Sequence, residues 1–371
     1  MAKLLFIQYK KSGNVLEGGG QGSAKNFAHL CKLLGPENVE EMHIHDETVK
    51  RRKSEYISGM YYFMSNYFFG LTPKRVQDIV RHAIDGNFDY VFIDRSIFGR
   101  IAEGLKKAGF KGTVITFFHN VERDYFAAKV SPAVPWRPII LHCAYVNDRL
   151  ACKHSDRIAV LNSRDDARLF QLYSRHGDVQ IPVTFEDKLD VNATRITVQS
   201  GALTSQKPLC VFLGAYFRAN NRGIEWFVKN VYPYVDIQMK IVGKGMDKLA
   251  GAPWLRPDIE VLSDVPDLGP IFDEADIMVL PIFEGSGMKV KTCESLMHGK
   301  NIIATPEAFE GYDLDYDRVG ALCRNSQDFI KALNAFSTHP RLRFNTYSRS
   351  IFLTKYSDAI VDPLFRKLLG F

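Results

Sequence analysis

Two successive doubly wound α/β domains are the architecture this sequence predicts, and three observations carry that expectation. The chain has 371 residues, too many for one ordinary hydrophobic core. Short apolar runs alternate with amphipathic helical stretches, the pattern of βαβ units and parallel sheets. The alternation then restarts at Leu209-Cys210-Val211-Phe212-Leu213, as a second sheet requires. Apolar residues make up 46 % and charged residues 24 %, which places the chain among globular rather than disordered proteins.

In the first half the strands fall near 3–9, 39–45, 89–94, 112–118 and 157–161, and the helices near 22–35, 73–85, 97–109 and 163–174. In the second half, strands near 237–242, 258–262, 276–281 and 301–305 follow the opening run, with helices near 222–231 and 287–299. The interval 175–206 shows no period and reads as the interdomain connection plus an edge strand, Arg195-Ile196-Thr197-Val198. The stretch from Tyr347 to Phe371 reads as one or two helices.

The six cysteines lack the paired spacing of zinc sites and disulfide frameworks, and no Asp/His constellation suggests a metal. No apolar stretch approaches the roughly 20 residues that span a bilayer, and no secretory pattern precedes the first strand, so a cytoplasmic chain is expected. The net charge of +6 is unevenly placed. Residues 1–200 hold 28 Lys/Arg against 22 Asp/Glu, whereas residues 201–371 hold 20 of each. The first half therefore predicts a basic surface with an anionic partner.

The most informative segment runs from Met278 to Glu294. A buried strand ends at Pro281, and Glu284-Gly285-Ser286-Gly287-Met288-Lys289 makes a tight turn into a helix carrying Lys291 and Glu294. Glycines let backbone approach a diphosphate, and free N–H groups at a helix start attract anions. Lys291 and Glu294 are three apart and share a helix face, so a cation meets phosphate while a carboxylate accepts from ribose hydroxyls. A plain strand–turn–helix with a solvated Lys–Glu pair fits these residues equally well.

Gly285-x-Gly287-Met288-Lys289-x-Lys291-x-x-Glu294, followed by Gly299-Lys300 and Ala304-Thr305, resembles the donor-site signature of GT-B glycosyltransferases of family 4. Phe212-Leu213-Gly214 with Phe217-Arg218-Ala219-Asn220 and Gly223-Ile224-Glu225-Trp226-Phe227 is similar to the family's first strand–loop–helix of the donor domain. Ile241-Val242-Gly243-Lys244-Gly245, Asp264-Val265-Pro266-Asp267-Leu268 and Phe309-Glu310-Gly311 resemble later family segments in the same order. The likeness implies two Rossmann-like domains facing across a cleft. An acceptor domain would span 1–187, with a 350–371 tail helix crossing back to it, and a donor domain 188–349. It further implies that Glu294 holds the nucleotide ribose, that Arg218, Lys244 or Lys291 neutralises the diphosphate, and that backbone near Gly214, Gly287 and Met288 approaches it. One departure stands out: Ser286 occupies the family's usual first-glutamate position, and Glu284 lies two residues earlier.

In the first half, Glu17-Gly18-Gly19-Gly20-Gln21-Gly22 leads into a helix without the G-x-G-x-x-G spacing of dinucleotide sites. It resembles the glycine-rich first loop of GT-B enzymes, which puts Gly20 near the donor. His119 and Arg95 each follow a strand, at the end of a parallel sheet where ligands bind, and His119 resembles the family's histidine in this loop. Arg51, Arg52 and Lys53 precede an aromatic run containing Tyr61, Tyr62 and Phe63. Basic residues beside amphipathic aromatics suit an anionic membrane surface and equally a clamp on single-stranded nucleic acid. The resemblance favours the membrane or a lipid-linked acceptor.

The expectation is a retaining glycosyltransferase of the hexosyl type, using a UDP- or GDP-linked donor and a glycan or lipid-linked acceptor in cell-surface polysaccharide or glycoconjugate synthesis. His119, Arg218 and Lys291 would carry the chemistry, without metal, further cofactor or nucleic acid, at most peripherally on the cytoplasmic membrane face. A nucleotide-sugar epimerase of the same fold and a non-catalytic nucleotide-sugar binder are the alternatives.

Overall fold

The computed structural model describes residues 2–9, 18–44, 61–68, 70–189, 203–204, 207–285, 287–339 and 341–371, with backbone only at 18–21. The chain divides into two compact units, Met1–Pro182 with Val361–Phe371, and Val183–Ile360.

The first unit is built on β1 (Leu4–Gln8), β2 (Val39–His43), β3 (Tyr90–Ile93), β4 (Thr113–Phe118), β5 (Arg157–Val160) and β6 (Val179–Gln180). They form one parallel sheet in the order β2-β1-β3-β4-β5-β6. β1 is buried at every position, as a strand with helices on both faces must be. The helices are α1 (Gly18–Leu34), α2 (Pro73–Asp85), α3 (Gly99–Lys107), α4 (Glu122–Lys129), α5 (Arg137–His154) and α6 (Ser163–Tyr173). α2 shows how local sequence sets such an element. The Thr72 hydroxyl accepts from the Arg75 N–H, Pro73 opens the first turn, and Gly86 follows the last. Its Val76, Ile79, Val80 and Ala83 then pack with Val91, Ile93, Ile101 and Leu105 in one core.

Several features of this unit depart from expectation, the short helix α4 and strand β6 among them. Helix α1 begins at Gly18, so the glycine run opens a helix instead of forming a loop before residue 22. Helix α5, 18 residues long, has no counterpart in the sequence reading because its buried face carries Asn147 and Asp148 beside Cys143, Ala144, Ala151 and Cys152. Buried polar residues erase the apolar stripe on which periodicity depends.

The second unit repeats the plan with β7 (Leu209–Leu213), β8 (Gln238–Gly243), β9 (Glu260–Ser263), β10 (Ile277–Leu280), β11 (Asn301–Ala304) and β12 (Gly320–Leu322). Its helices are α7 (Arg218–Asn230), α8 (Gly269–Glu274), α9 (Val290–Met297), α10 (Tyr316–Val319), α11 (Ser326–Thr338) and α12 (Thr346–Ile351). The parallel sheet runs β12-β11-β10-β7-β8-β9. Read from β9, this is the 3-2-1-4-5-6 order of doubly wound nucleotide-binding sheets, whose strand order reverses between β7 and β10. Loops leaving the carboxyl ends of those two strands therefore flank the place where such folds hold ligands.

The unit boundaries fall at Pro182 and Ile360 rather than at 187 and 349. The reason is hydrogen bonding. The Phe185 N–H donates to the Tyr356 carbonyl at 3.1 Å, and the Asp358 N–H donates to the Phe185 carbonyl at 2.9 Å. Buried Arg349 bonds both Asp187 and the Met297 carbonyl. Residues 183–187 and 350–360 thus belong to the second unit. Only the final helix, α13 (Val361–Leu369), rejoins the first, where Asp362 bonds His29 and Lys32 of α1. The expected edge strand at 195–198 lies outside the described residues.

Candidate functional sites in the two units

In the second unit, β7 ends in a turn held from two sides. The Gly214 N–H donates to the Val242 carbonyl at 2.9 Å, and the Tyr216 N–H to the Lys244 carbonyl at 2.8 Å. Helix α7 then starts at Arg218 with no side chain capping its first amides. On the neighbouring strand, β10 runs through Pro281 to Gly287, whose φ of 64° is the left-handed conformation that glycine adopts without strain. Helix α9 follows, and its N-cap residue, Lys289, also makes no side-chain cap. Two helix starts with open amides therefore flank the reversal point of the sheet, the arrangement that attracts anions.

The two lysines of the signature have different fates. Lys289 is bonded to the Glu307 carboxylate at 2.6 Å and to the Gly287 carbonyl at 2.8 Å. Lys291 is bonded instead to a neutral group, the Asn220 Oδ1 at 2.8 Å. Its ammonium lies 4.5 Å from the centre of the Phe212 ring. A Cβ on Gly214 would come within 2.8 Å of both the Lys291 Nζ and the Asn220 Nδ2, so a larger residue there would displace both side-chain ends. Burial, with Lys289 nearby, pushes Lys291 down to about 7, against the opposing pull of Glu294. Among the described residues Lys291 forms no ion pair.

The floor beneath α9 is pinned. Thr292 donates to the Ala308 carbonyl at 2.6 Å, and the Tyr312 hydroxyl to the Lys289 carbonyl at 2.8 Å. These bonds fix the Phe309-Glu310-Gly311 turn against the helix. Of the other signature positions, Met288 is buried and Glu294 half-buried. Arg218, Lys244 and Gly285 are exposed, and Glu284 is ion-paired with Arg222 of α7. Ser286 lies outside the described residues.

The first unit gathers its own cluster at the carboxyl ends of β3 and β4. Asp94 is fully buried, and its Oδ1 accepts from the Asn26 amide at 2.8 Å and meets the His119 Nε2 at 3.1 Å. Among the described residues its Oδ2 has no partner. The face of His119 away from Asp94 lies against Gly22 of α1, where a Cβ would stand 3.1 Å from the ring. Arg95 sits next to this pair with its Nε 3.5 Å from the buried Glu122 carboxylate. Beyond it, Asp148 is pushed up to about 8, first by burial and then by Glu122, although Ser96, the Arg123 N–H and Tyr173 all donate to it.

Gly20 lies in the first turn of α1, and its surroundings are outside the described residues, as are Arg51, Arg52 and Lys53. Tyr61 is exposed, whereas Tyr62 is half-buried and Phe63 packs against the first-unit core with its ring 5.2 Å from Phe68. Asn220, which the sequence places in a family-like segment without a role, and Asp94 and Glu307 are not among the candidate residues. All are partners of a candidate residue, and only proximity in space reveals them.

Residues 207–339 match the family model described as glycosyl transferases group 1. The fold of the chain is of the GT-B type. Its fold is similar over the full length of both chains to sucrose-phosphate synthase from Thermosynechococcus elongatus, at a TM-score of 0.74 and 12 % identity. It is likewise similar to Anabaena HepE in complex with UDP, at 0.67 and 12 %, again with 100 % of each chain covered. A third similar structure is the lipopolysaccharide outer core galactosyltransferase WaaB, at 0.67 and 11 %, with 99 % of each chain covered. No curated protein matches the chain in sequence. Among its described residues no helix is long and apolar enough to cross a membrane, and no group of three or more His, Cys, Asp or Glu could hold a metal ion.

Proposed function

We propose that the chain is a glycosyltransferase whose second unit binds a UDP-linked sugar, and that it passes the sugar, with retained anomeric configuration, to a hydroxyl of a glycan or lipid-linked acceptor. The observation carrying this reading is Lys291, a half-buried lysine held by an amide rather than a carboxylate. It stands between two open helix starts at the reversal point of the sheet. A buried cation without a counter-ion is costly unless a ligand supplies one. A nucleoside diphosphate does so. The UDP and UDP-glucose complexes of the similar HepE structures support uridine as the base.

In the proposed reaction the sugar C1–O bond to the diphosphate breaks as a C1–O bond to the acceptor forms on the same face. The acceptor proton passes to the departing diphosphate oxygen. Lys291, the amides near Gly287 and Met288, and Arg218 or Lys244 stabilise the charge that develops there. Such preorganised stabilisation usually lowers the barrier more than any other single effect. Glu294 accepts from the ribose hydroxyls. His119, held by Asp94, serves the first unit's share of the chemistry. The basic 51–53 segment with Tyr61 and Tyr62 directs the enzyme to a lipid-linked acceptor at an anionic membrane surface.

Thermal stabilisation by UDP-, GDP- and ADP-linked sugars tests the donor, because a ligand that binds only the folded state raises apparent stability by mass action. UDP-sugars alone should raise Tm. Equal shifts with all three, or none, would refute the uridine assignment. NMR of the anomeric proton in product tests retention.

A further inference from the structure

We propose that Asn220 is a positioning residue of the donor site, tying the turn after β7 to Lys291 so that the lysine faces the incoming diphosphate. The proposal rests on the reading of that site given above. The geometry behind it is a two-ended clamp. The Asn220 Nδ2 donates to the Ala215 carbonyl at 2.8 Å, and its Oδ1 accepts from the Lys291 Nζ at 2.8 Å. One amide therefore joins the β7 turn, the first turn of α7 and the first turn of α9, the three segments at the reversal point of the sheet. Gly214 leaves room for the clamp, because a Cβ there would touch both of its ends.

The chemistry explains why an amide suits this position. A carboxylate would hold the ammonium just as firmly but would neutralise it and repel a diphosphate. Glu307 already does this to Lys289. A neutral acceptor orients the amine and leaves its charge to the ligand. The charged groups acting on Lys291 are Lys289, which opposes its protonation, and Glu294, which favours it. Since the free side chain titrates near neutrality, bound diphosphate should draw a proton onto it. UDP affinity should then stay level below about pH 7 and weaken as pH rises above it.

The test is UDP binding by calorimetry from pH 6 to 9 with the full chain. Asn220→Ala should bind UDP about tenfold more weakly at pH 6.5 with Tm near that of the wild type. Asn220→Asp should bind weakly too, but its affinity should begin to fall at a higher pH, since the new carboxylate keeps the lysine charged. Lys291→Met should bind weakly with no inflection near pH 7. If Asn220→Ala does not fold, the displaced inflection of Asn220→Asp decides. Wild-type affinity in Asn220→Ala, or an unmoved inflection in Asn220→Asp, overturns the positioning role. Wild-type affinity and pH dependence in Lys291→Met overturn instead the donor site on which it rests.

Discussion

In each unit of the chain a titratable side chain sits at the carboxyl end of the parallel sheet, and the two are gripped differently. In the first unit His119 meets a buried carboxylate, Asp94, whose Oδ1 is shared with Asn26. In the second unit Lys291 meets an amide, Asn220. In the first arrangement a carboxylate beside Nε2 orients the imidazole ring. The second leaves a lysine that forms no ion pair among the described residues. The difference teaches what each site awaits: an oriented imidazole suits hydrogen bonding to a neutral hydroxyl, and a lysine held by an amide suits an anion.

The contrast breaks most visibly at Lys291. Lys291→Met should lower turnover by roughly 10²–10³, the effect of deleting one preorganised charge at a developing anion, and abolish UDP-sugar stabilisation. Turnover assays and thermal shifts on one preparation check both. His119→Ala should cost about 10² in turnover with donor binding unchanged, so that kcat falls while UDP still stabilises the protein. A parallel loss of UDP binding would erase the division of labour. Glu294→Ala should weaken UDP about tenfold, the cost of losing hydrogen bonds to a charged group, as read by calorimetry.

A pH experiment sharpens the same point. Lys291 has its proton affinity lowered by folding, so between about pH 7 and its ordinary range the unfolded chain binds the extra proton. This group alone therefore makes the ligand-free protein more stable as pH rises above 7. Asp148, raised to about 8, acts oppositely: its contribution declines as pH rises toward 8. The Tm difference between wild type and Lys291→Met isolates the lysine and should move in the wild type's favour with increasing pH, while UDP-induced stabilisation shrinks. The smallest effect is expected at Glu284, whose carboxylate is partly exposed and paired with exposed Arg222. Glu284→Gln should change stability by about 0–1 kcal/mol and UDP affinity less than threefold. A larger loss of turnover would give Glu284 a part in holding the sugar.

How much of this was legible beforehand follows from what burial does to a pattern. Strands covered on both faces are continuous apolar runs, so β1, β3, β4, β7 and β10 stand out, and the signature from Gly285 to Glu294 is contiguous enough to be recognised. Helix α5 is hidden because Asn147 and Asp148 occupy its buried face. β6 is two residues long and offers no run to detect. The glycines from 18 to 22 suggest a loop, yet Gly18 already opens α1. Lys289 and Lys291 look alike in sequence, and only the structure shows the first joined to Glu307 and the second to Asn220. Asn220 itself bears no charge and belongs to no pattern of its own, so its role emerges only from the turn and helix it bridges.

The most direct test of the donor assignment is a crystal structure of the protein with UDP. The diphosphate should lie within hydrogen-bond distance of the Lys291 Nζ and the backbone N–H groups near Gly287 and Met288, with the ribose on the Glu294 carboxylate. UDP bound away from the carboxyl ends of β7 and β10, with Lys291 still bonded to Asn220 alone, would contradict it.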